Sequence, residues 1–212
     1  MTCSQCEGIE NQFDEESVRE EILFYEKDGA DKTTMWLVEA IKEHGIRDAE
    51  LLDIGGGIGA IQHELINQGV TSAVHVDGSA AYIAGAEKMA KQRGLENNIE
   101  WLHGNYVDLD AKLKSFDVVT LDRVICCYDD MQALVSKSSK KARKYYGVVY
   151  PKDHWYIRIV FGIMNLFQRI RKDPFRAFVH PTQLVEDQIK AAGLEKIFFR
   201  QTFLWQVALF AK

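Results

Sequence analysis

The sequence predicts an α/β domain, a doubly wound, mostly parallel seven-stranded sheet that ends in a C-terminal antiparallel hairpin. Three observations carry that expectation. Short apolar runs alternate with segments of helical period from residue 50 to residue 192. A glycine-rich loop joins the first run to the helix after it. The last two runs are separated by a turn too short for a crossover, so they must pair antiparallel.

Two helices open the chain over 17–27 and 32–44, the second with Met35, Trp36, Val38, Ala40 and Ile41 at helical spacing. Residues 50–54 form the first strand, stopped by Gly55, Gly56 and Gly57, and a helix over 58–68 ends at Gly69, a C-cap candidate. Strands follow over 72–76, 99–102 and 116–121, with a helix over 79–93 between the first two. A helix over 129–144 leads to a strand over 145–150 that Pro151 stops. Residues 155–170 are helical and mostly apolar, 181–192 are the last helix, and 196–200 and 203–210 are the hairpin. There is no repeat, low-complexity tract or flexible linker, so residues 1–212 read as one domain, with a helical cap over 1–45 and an amphipathic insertion over 152–178.

Composition narrows the function classes. With 47% hydrophobic and 27% charged residues and only 3 prolines, the chain is globular rather than disordered. A net charge of −5 gives no global positive field to gather nucleic acid. The charge is unevenly placed: residues 1–31 carry ten acids against two bases, and residues 137–176 carry eleven bases against two acids. Such runs suit solvated helix faces, an anionic acceptor, or a cap docked on the basic segment. The four cysteines, Cys3, Cys6, Cys126 and Cys127, suggest reduced thiols in a cytoplasmic protein, and residues 1–10 lack a signal-peptide core. Cys3-x-x-Cys6 has no second pair at zinc spacing and reads as a tail or cap, so no metal is expected.

The glycine loop carries the cofactor argument. Glycines between a strand and a helix let backbone N–H groups approach a ligand, and Asp77, closing the next strand 24 residues after Asp53, can receive both hydroxyls of a ribose. Two cofactor classes fit. Gly55-x-Gly57-x-x-Ala60 with Asp77 meets the relaxed nicotinamide fingerprint, while Asp53, Gly55, Gly57 and Gly59 meet the tighter Asp-x-Gly-x-Gly-x-Gly pattern.

On that second pattern the chain resembles the class I S-adenosylmethionine-dependent methyltransferases, from about residue 51 to its end. The family's sheet also ends in an antiparallel hairpin, which separates it from the nicotinamide reading. The resemblance implies that Asp53 helps hold the amino-acid end of S-adenosylmethionine, that Gly55, Gly56, Gly57 and Gly59 accommodate it, and that Asp77 binds the ribose with Gly78 and Ser79 nearby. Asn105, followed by Tyr106, stands where the family often places an acid near the adenine amino group, and Asn can accept that hydrogen bond. Asp122 and Arg123 fall beside the methionine portion, where they equally suit a structural ion pair. The N-terminal helices would close over the cofactor, with Tyr25 and the run Lys32, Thr33 and Thr34 toward the methionine end, although Thr33 is also an ordinary N-cap residue.

Methyl transfer needs alignment more than covalent help, and a general base only for a protonated acceptor. His180 is the first candidate, followed by Tyr128 and His154. Cys126 and Cys127, beside Val124 and Ile125, read as inert core thiols. The fourth strand lacks the proline-rich motif of base-directed amino methyltransferases, so nucleic acid is a poor fit. Residues 155–170 read as a packed helix, a lid over an apolar substrate, or an interfacial helix at a membrane. The layout distantly resembles magnesium-protoporphyrin and quinone-precursor methyltransferases. The expected function is methyl transfer to a small, hydrophobic, potentially anionic acceptor, at oxygen. The alternatives are an RNA or protein methyltransferase using 137–176, an NAD(P)-dependent oxidoreductase, and a non-catalytic S-adenosylmethionine-binding module.

Overall fold

Three helices precede the sheet: α1 (Ser4–Gln12), α2 (Glu15–Asp28) and α3 (Lys32–Glu43). The structure, a computed structural model, describes residues 4–66 and 68–212, with side chains from residue 7 onward, so the Cys3-x-x-Cys6 pair lies outside the described side chains. Asp14 caps α2 by accepting from the backbone of Glu16 and Ser17, and Asp31 caps α3 by accepting from Thr33. On α3, Leu37, Val38 and Ile41 are fully buried. Each such side chain contributes about 1.5–3 kcal/mol, which anchors the helix to the sheet.

The sheet and its helices follow as β1 (Ala49–Ile54), α4 (Ala60–Ile66), β2 (Val70–Asp77), α5 (Ala80–Gln92), β3 (Ile99–His103), α6 (Tyr106–Leu109), β4 (Phe116–Asp122), α7 (Met131–Lys141) and β5 (Ala142–Pro151). They are completed by α8 (Trp155–Ile170), α9 (Thr182–Ala191), β6 (Glu195–Gln201) and β7 (Trp205–Ala211). The strand order is β3-β2-β1-β4-β5-β7-β6. Strands β1 to β5 pair in parallel, and β7 runs antiparallel to both β5 and β6. The hairpin therefore folds back with its second strand inside the sheet.

Alternate strand residues feed two cores, as a sheet covered on both faces requires. Leu52, Ile54, Val119 and Leu121 pack under α7 and α9 with Val135 and Ile189. Leu51 and Val118 pack on the other face with Leu37, Ile41, Leu65 and Ala90. Strand order reverses between β1 and β4, and the crevice above a reversal is where open α/β sheets bind ligands.

The structure departs from the sequence expectation in three places. Residues 4–12 add a third helix to the N-terminal cap, with Ile9 against Gly78 and Gly8 against the backbone of Phe175. Strand β5 starts at Ala142, not at residue 145, because Ala142 already pairs with Phe116 and tertiary pairing outweighs helix propensity there. The acidic cap also docks on the basic segment differently from the charge pattern. The contact is apolar, with the Phe13 and Phe175 rings edge to face at 5.7 Å. Among the described residues, no ion pair joins the two segments.

Candidate functional site

A cavity of about 800 Å³ opens above the C-terminal ends of β1, β2 and β4 and beneath the N-terminal helices, near the upper end of the ~300–1,000 Å³ range of small-molecule sites. Its floor is the glycine loop. Gly55, Gly57 and Gly59 have φ of 60°, 56° and 83°, a left-handed backbone that glycine adopts at no steric cost. Gly56 is needed for space instead. A Cβ there would lie 2.6 Å from His75 Nδ1 and 2.9 Å from Asp53 Oδ2.

Asp53 is buried beneath this loop. Its Oδ1 accepts a 2.7 Å hydrogen bond from Thr120 Oγ1, and its Oδ2 faces Gln62 Nε2 at 3.4 Å. Burial pushes its pKa up to about 7 against the lowering effect of the Thr120 bond. Asp53 thus supports the loop from below as well as reaching the cavity wall. Asp77 faces the cavity from the end of β2. Its two oxygens accept from Gly57 N at 3.0 Å and Ser79 N at 2.9 Å. Each oxygen keeps a lone pair for a further donor, which suits a pair of ribose hydroxyls. Burial lifts this carboxyl to about 6, with the two backbone bonds opposing.

At the end of β4 the two sequence readings of Asp122 and Arg123 hold together. Both residues line the cavity, and Arg123 Nε lies 3.1 Å from Asp122 Oδ1. Thr34 Oγ1 donates to Asp122 at 2.5 Å and accepts from Arg123 Nη2 at 3.0 Å, while Asp31 lies 3.7 Å from Arg123. Arg123 sits at φ 62°, a strained backbone for a side-chain-bearing residue, held by its N–H to Val149 O at 2.8 Å. This network ties the cap helix α3 to the sheet.

The other sequence-predicted residues divide. Tyr25, Gly78, Asn105, Tyr106 and Tyr128 line the cavity. Asn105 Oδ1, however, already accepts from Val107 N at 3.0 Å and Tyr128 Oη at 2.6 Å, so the acceptor expected for an adenine amine is engaged. The Tyr106 hydroxyl is turned away, donating to Asp110 at 2.9 Å. Ser79 does not line the cavity. It caps α5 and donates to Phe13 O at 2.6 Å, which pins the end of the cap. Thr33 is buried in the Asp31 cap, and its neighbour Thr34 takes the cavity position. Gly59 lies just behind the lining and ends the loop.

His180 also lies outside the cavity. Its Nε2 sits 2.6 Å from Tyr128 O, in a separate hollow with Asp129, Pro181 and Leu184. His154 is exposed at the start of α8, stacked on Tyr156. Cys126 is buried and Cys127 lines the cavity. The contact between the two thiols and then burial push Cys127 well above the usual thiol range, which fits an inert sulfur.

Sequence reasoning missed the carboxylates of the cap. Glu21 on α2 lines the cavity, and its Oε2 accepts a 2.6 Å hydrogen bond from Tyr82 Oη. Enclosure by the cavity walls raises its pKa against that bond and against Arg123. Glu10 on α1 takes His103 Nε2 at 2.8 Å and Ala80 N at 3.2 Å, closing the cavity over β2 and β3. A carboxylate on an amphipathic helix carries no sequence signal that separates it from a solvated face.

Residues 51–144 match the family model described as a methyltransferase domain. A C-methyltransferase of ubiquinone/menaquinone biosynthesis from Rhizobium meliloti is 29% identical over 89 residues, 40% of this chain and 34% of that protein. The match therefore spans about a third of the relative's length. Magnesium protoporphyrin IX methyltransferase from Synechocystis, solved with S-adenosylhomocysteine, superposes with a TM-score of 0.67 at 15% identity, over 85% of this chain and 81% of that one. Geranyl diphosphate C-methyltransferase from Streptomyces coelicolor gives 0.63 at 13% identity, over 82% and 75%. Residues 51–144, which build the glycine loop and its two acids, thus match a methyltransferase domain, and the chain has the fold of methyltransferases solved with S-adenosylmethionine or S-adenosylhomocysteine.

Proposed function

We propose that the chain transfers the methyl group of S-adenosylmethionine to a small hydrophobic acceptor, at oxygen. The observation that carries this reading is the charge of the cavity. Eight acidic side chains line it (Glu7, Glu10, Glu21, Asp31, Asp53, Asp77, Asp108 and Asp122), against Arg123 and His103. Arg123 is already engaged by Asp122 and Asp31. Such a lining favours the sulfonium and ammonium of S-adenosylmethionine and opposes the pyrophosphate of a nicotinamide dinucleotide. It also favours a neutral or cationic acceptor over an anionic one. Ile9, Phe13, Phe24, Ile58 and Val124 supply apolar wall for it.

When bound, the cofactor supplies an electrophilic methyl carbon on a positively charged sulfur. The chain's own residues do the rest. Asp77 and the glycine loop hold the nucleoside and amino-acid ends, while Thr34, Asp122 and Arg123 fix the wall between them and α3. Helices α1 and α2 exclude water. Glu21 accepts the acceptor's hydroxyl proton at Oε1, while Tyr82 orients the carboxylate through Oε2. Tyr128, tied to Asn105, and His180, outside the cavity, are less well placed for that role.

At Lys141 and Arg143 the basic segment lends little to an RNA or protein acceptor. Arg143 pairs with Glu50 at 2.8 Å and Asp117 at 2.9 Å, and Lys141 donates to Leu113 O at 2.6 Å. These bases sit at the N-terminal ends of the strands, across the sheet from the cavity.

The test is a transfer assay with methyl-labelled cofactor against phenols, quinols and porphyrins, with Glu21→Gln beside the parent chain. Turnover should fall about 100-fold in the variant while affinity for S-adenosylhomocysteine stays within about threefold. A loss of affinity with unchanged turnover would make Glu21 a cofactor ligand. Cofactor binding with no transfer to any acceptor would favour a binding module.

A further inference from the structure

We propose that the outward face of α8 docks on the surface of an anionic lipid bilayer. This inference does not depend on which acceptor is methylated. Helix α8 buries only a narrow stripe, Ile157, Phe161 and Gln168. Asn165, on the same side, fixes its rotation by donating to Ala177 O at 2.7 Å and accepting from Ala177 N at 2.9 Å. The opposite side is apolar and open. Trp155, Ile159, Ile163, Leu166, Phe167 and Ile170 are each between 51% and 72% exposed. At about 3.6 residues per turn they share one continuous face. Phe203 in the β6–β7 turn, 77% exposed, extends the patch past Tyr156, its stacking partner. Scattered exposed apolar residues are ordinary, whereas a contiguous face of this extent marks a contact surface.

Charge selects the occupant. Residues 152–176 carry six bases against two acids, and Arg169 falls on the border of the apolar face beside Arg158, which pairs with Asp153 at 2.6 Å. Among the described residues no ion pair engages Arg169, Arg171 or Lys172. A basic rim around an apolar face suits phosphate headgroups above acyl chains. A second copy of the chain would bring like charge against like. No described helix is long and apolar enough to cross a membrane, so α8 would lie in the interface. Its buried stripe packs with Ile9, Phe13 and Cys127, which also line the cavity, so docking sets the cavity wall beside the lipid.

The test is co-sedimentation of the full chain with vesicles of phosphatidylcholine alone or mixed with phosphatidylglycerol. Binding is expected only to the mixed vesicles, weakening as salt rises. Ile163→Asp, and separately Arg169→Glu with Arg171→Glu, should each lower partitioning roughly tenfold or more while S-adenosylhomocysteine affinity is unchanged. If Ile163→Asp lost that affinity too, the arginine reversals, which touch no core, would decide. Absence of binding, binding that survives these variants, or a dimer that Ile163→Asp dissolves would each overturn the proposal, the last by assigning the face to a second copy.

Discussion

The cavity and α8 use the same ingredients, charge and apolar surface, in opposite arrangements. In the cavity, carboxylates point inward and are held by fixed donors: Thr120 on Asp53, Gly57 and Ser79 on Asp77, Tyr82 on Glu21. On α8 the apolar side chains point outward and the bases lie at the border. A buried carboxylate with few partners is costly to keep charged, so its environment is built to receive something positive or hydrogen-bonding. An exposed apolar face is costly in water, so it is built to be covered. One region is completed by a ligand inside the protein, the other by a surface outside it.

The largest expected effect is a dependence on pH. Asp53 titrates near 7 in the folded chain against an ordinary 3.8. Its folded pKa is raised, so its contribution to stability is fully present below pH 4 and is lost as pH rises to about 7. Asp53→Asn keeps the neutral shape. Relative to the parent chain, the variant should therefore gain stability from pH 4 to pH 7, by up to about 4 kcal/mol in denaturant titrations at several pH values. A constant difference would mean that Asp53 is ionised in the folded state. His63 and His75, held neutral by burial with pKa near 4 and 3, act in the opposite sense below pH 6.5 in both chains and cancel in the comparison.

Truncation inside α8 comes next. Ile157→Ala should cost about 2–4 kcal/mol of unfolding free energy, because the side chain is buried among Phe161, Phe175 and Cys126. A third change, Asp77→Asn, removes the charge but keeps the size. It should weaken S-adenosylhomocysteine about 10- to 100-fold in titration calorimetry while the melting temperature falls little, as expected for charged hydrogen bonds to a ligand. The smallest effect belongs to the outer face. Ile163→Ala should leave stability within about 0.5 kcal/mol, and a larger loss would show that the face is already covered.

The two regions also differ in how far they could be read from sequence. The glycine loop and Asp77 were legible because backbone geometry dictates the residue type: φ near 60° at Gly55 and Gly57, and no room for a Cβ at Gly56. The helical character of 155–170 was legible from its spacing, but its rotation was not, since that depends on the Asn165–Ala177 contact from a distant loop. Glu21, Glu10 and the bond from Thr34 to Asp122 were hidden for the same reason. Their roles arise where α1, α2 and α3 meet β2, β3 and β4, and nothing in the local sequence reports that meeting. His180 shows the converse. It stands near the cavity in the chain order, but its ring turns to the Tyr128 carbonyl instead.

The acid-lined cavity is suited to a sulfonium cofactor and not to a dinucleotide. Calorimetric titration of the purified chain with S-adenosylmethionine, S-adenosylhomocysteine and NADH tests it most directly. Saturable one-site binding of the first two and none of NADH is expected. Binding of NADH with no response to S-adenosylmethionine would contradict it while leaving the fold in place.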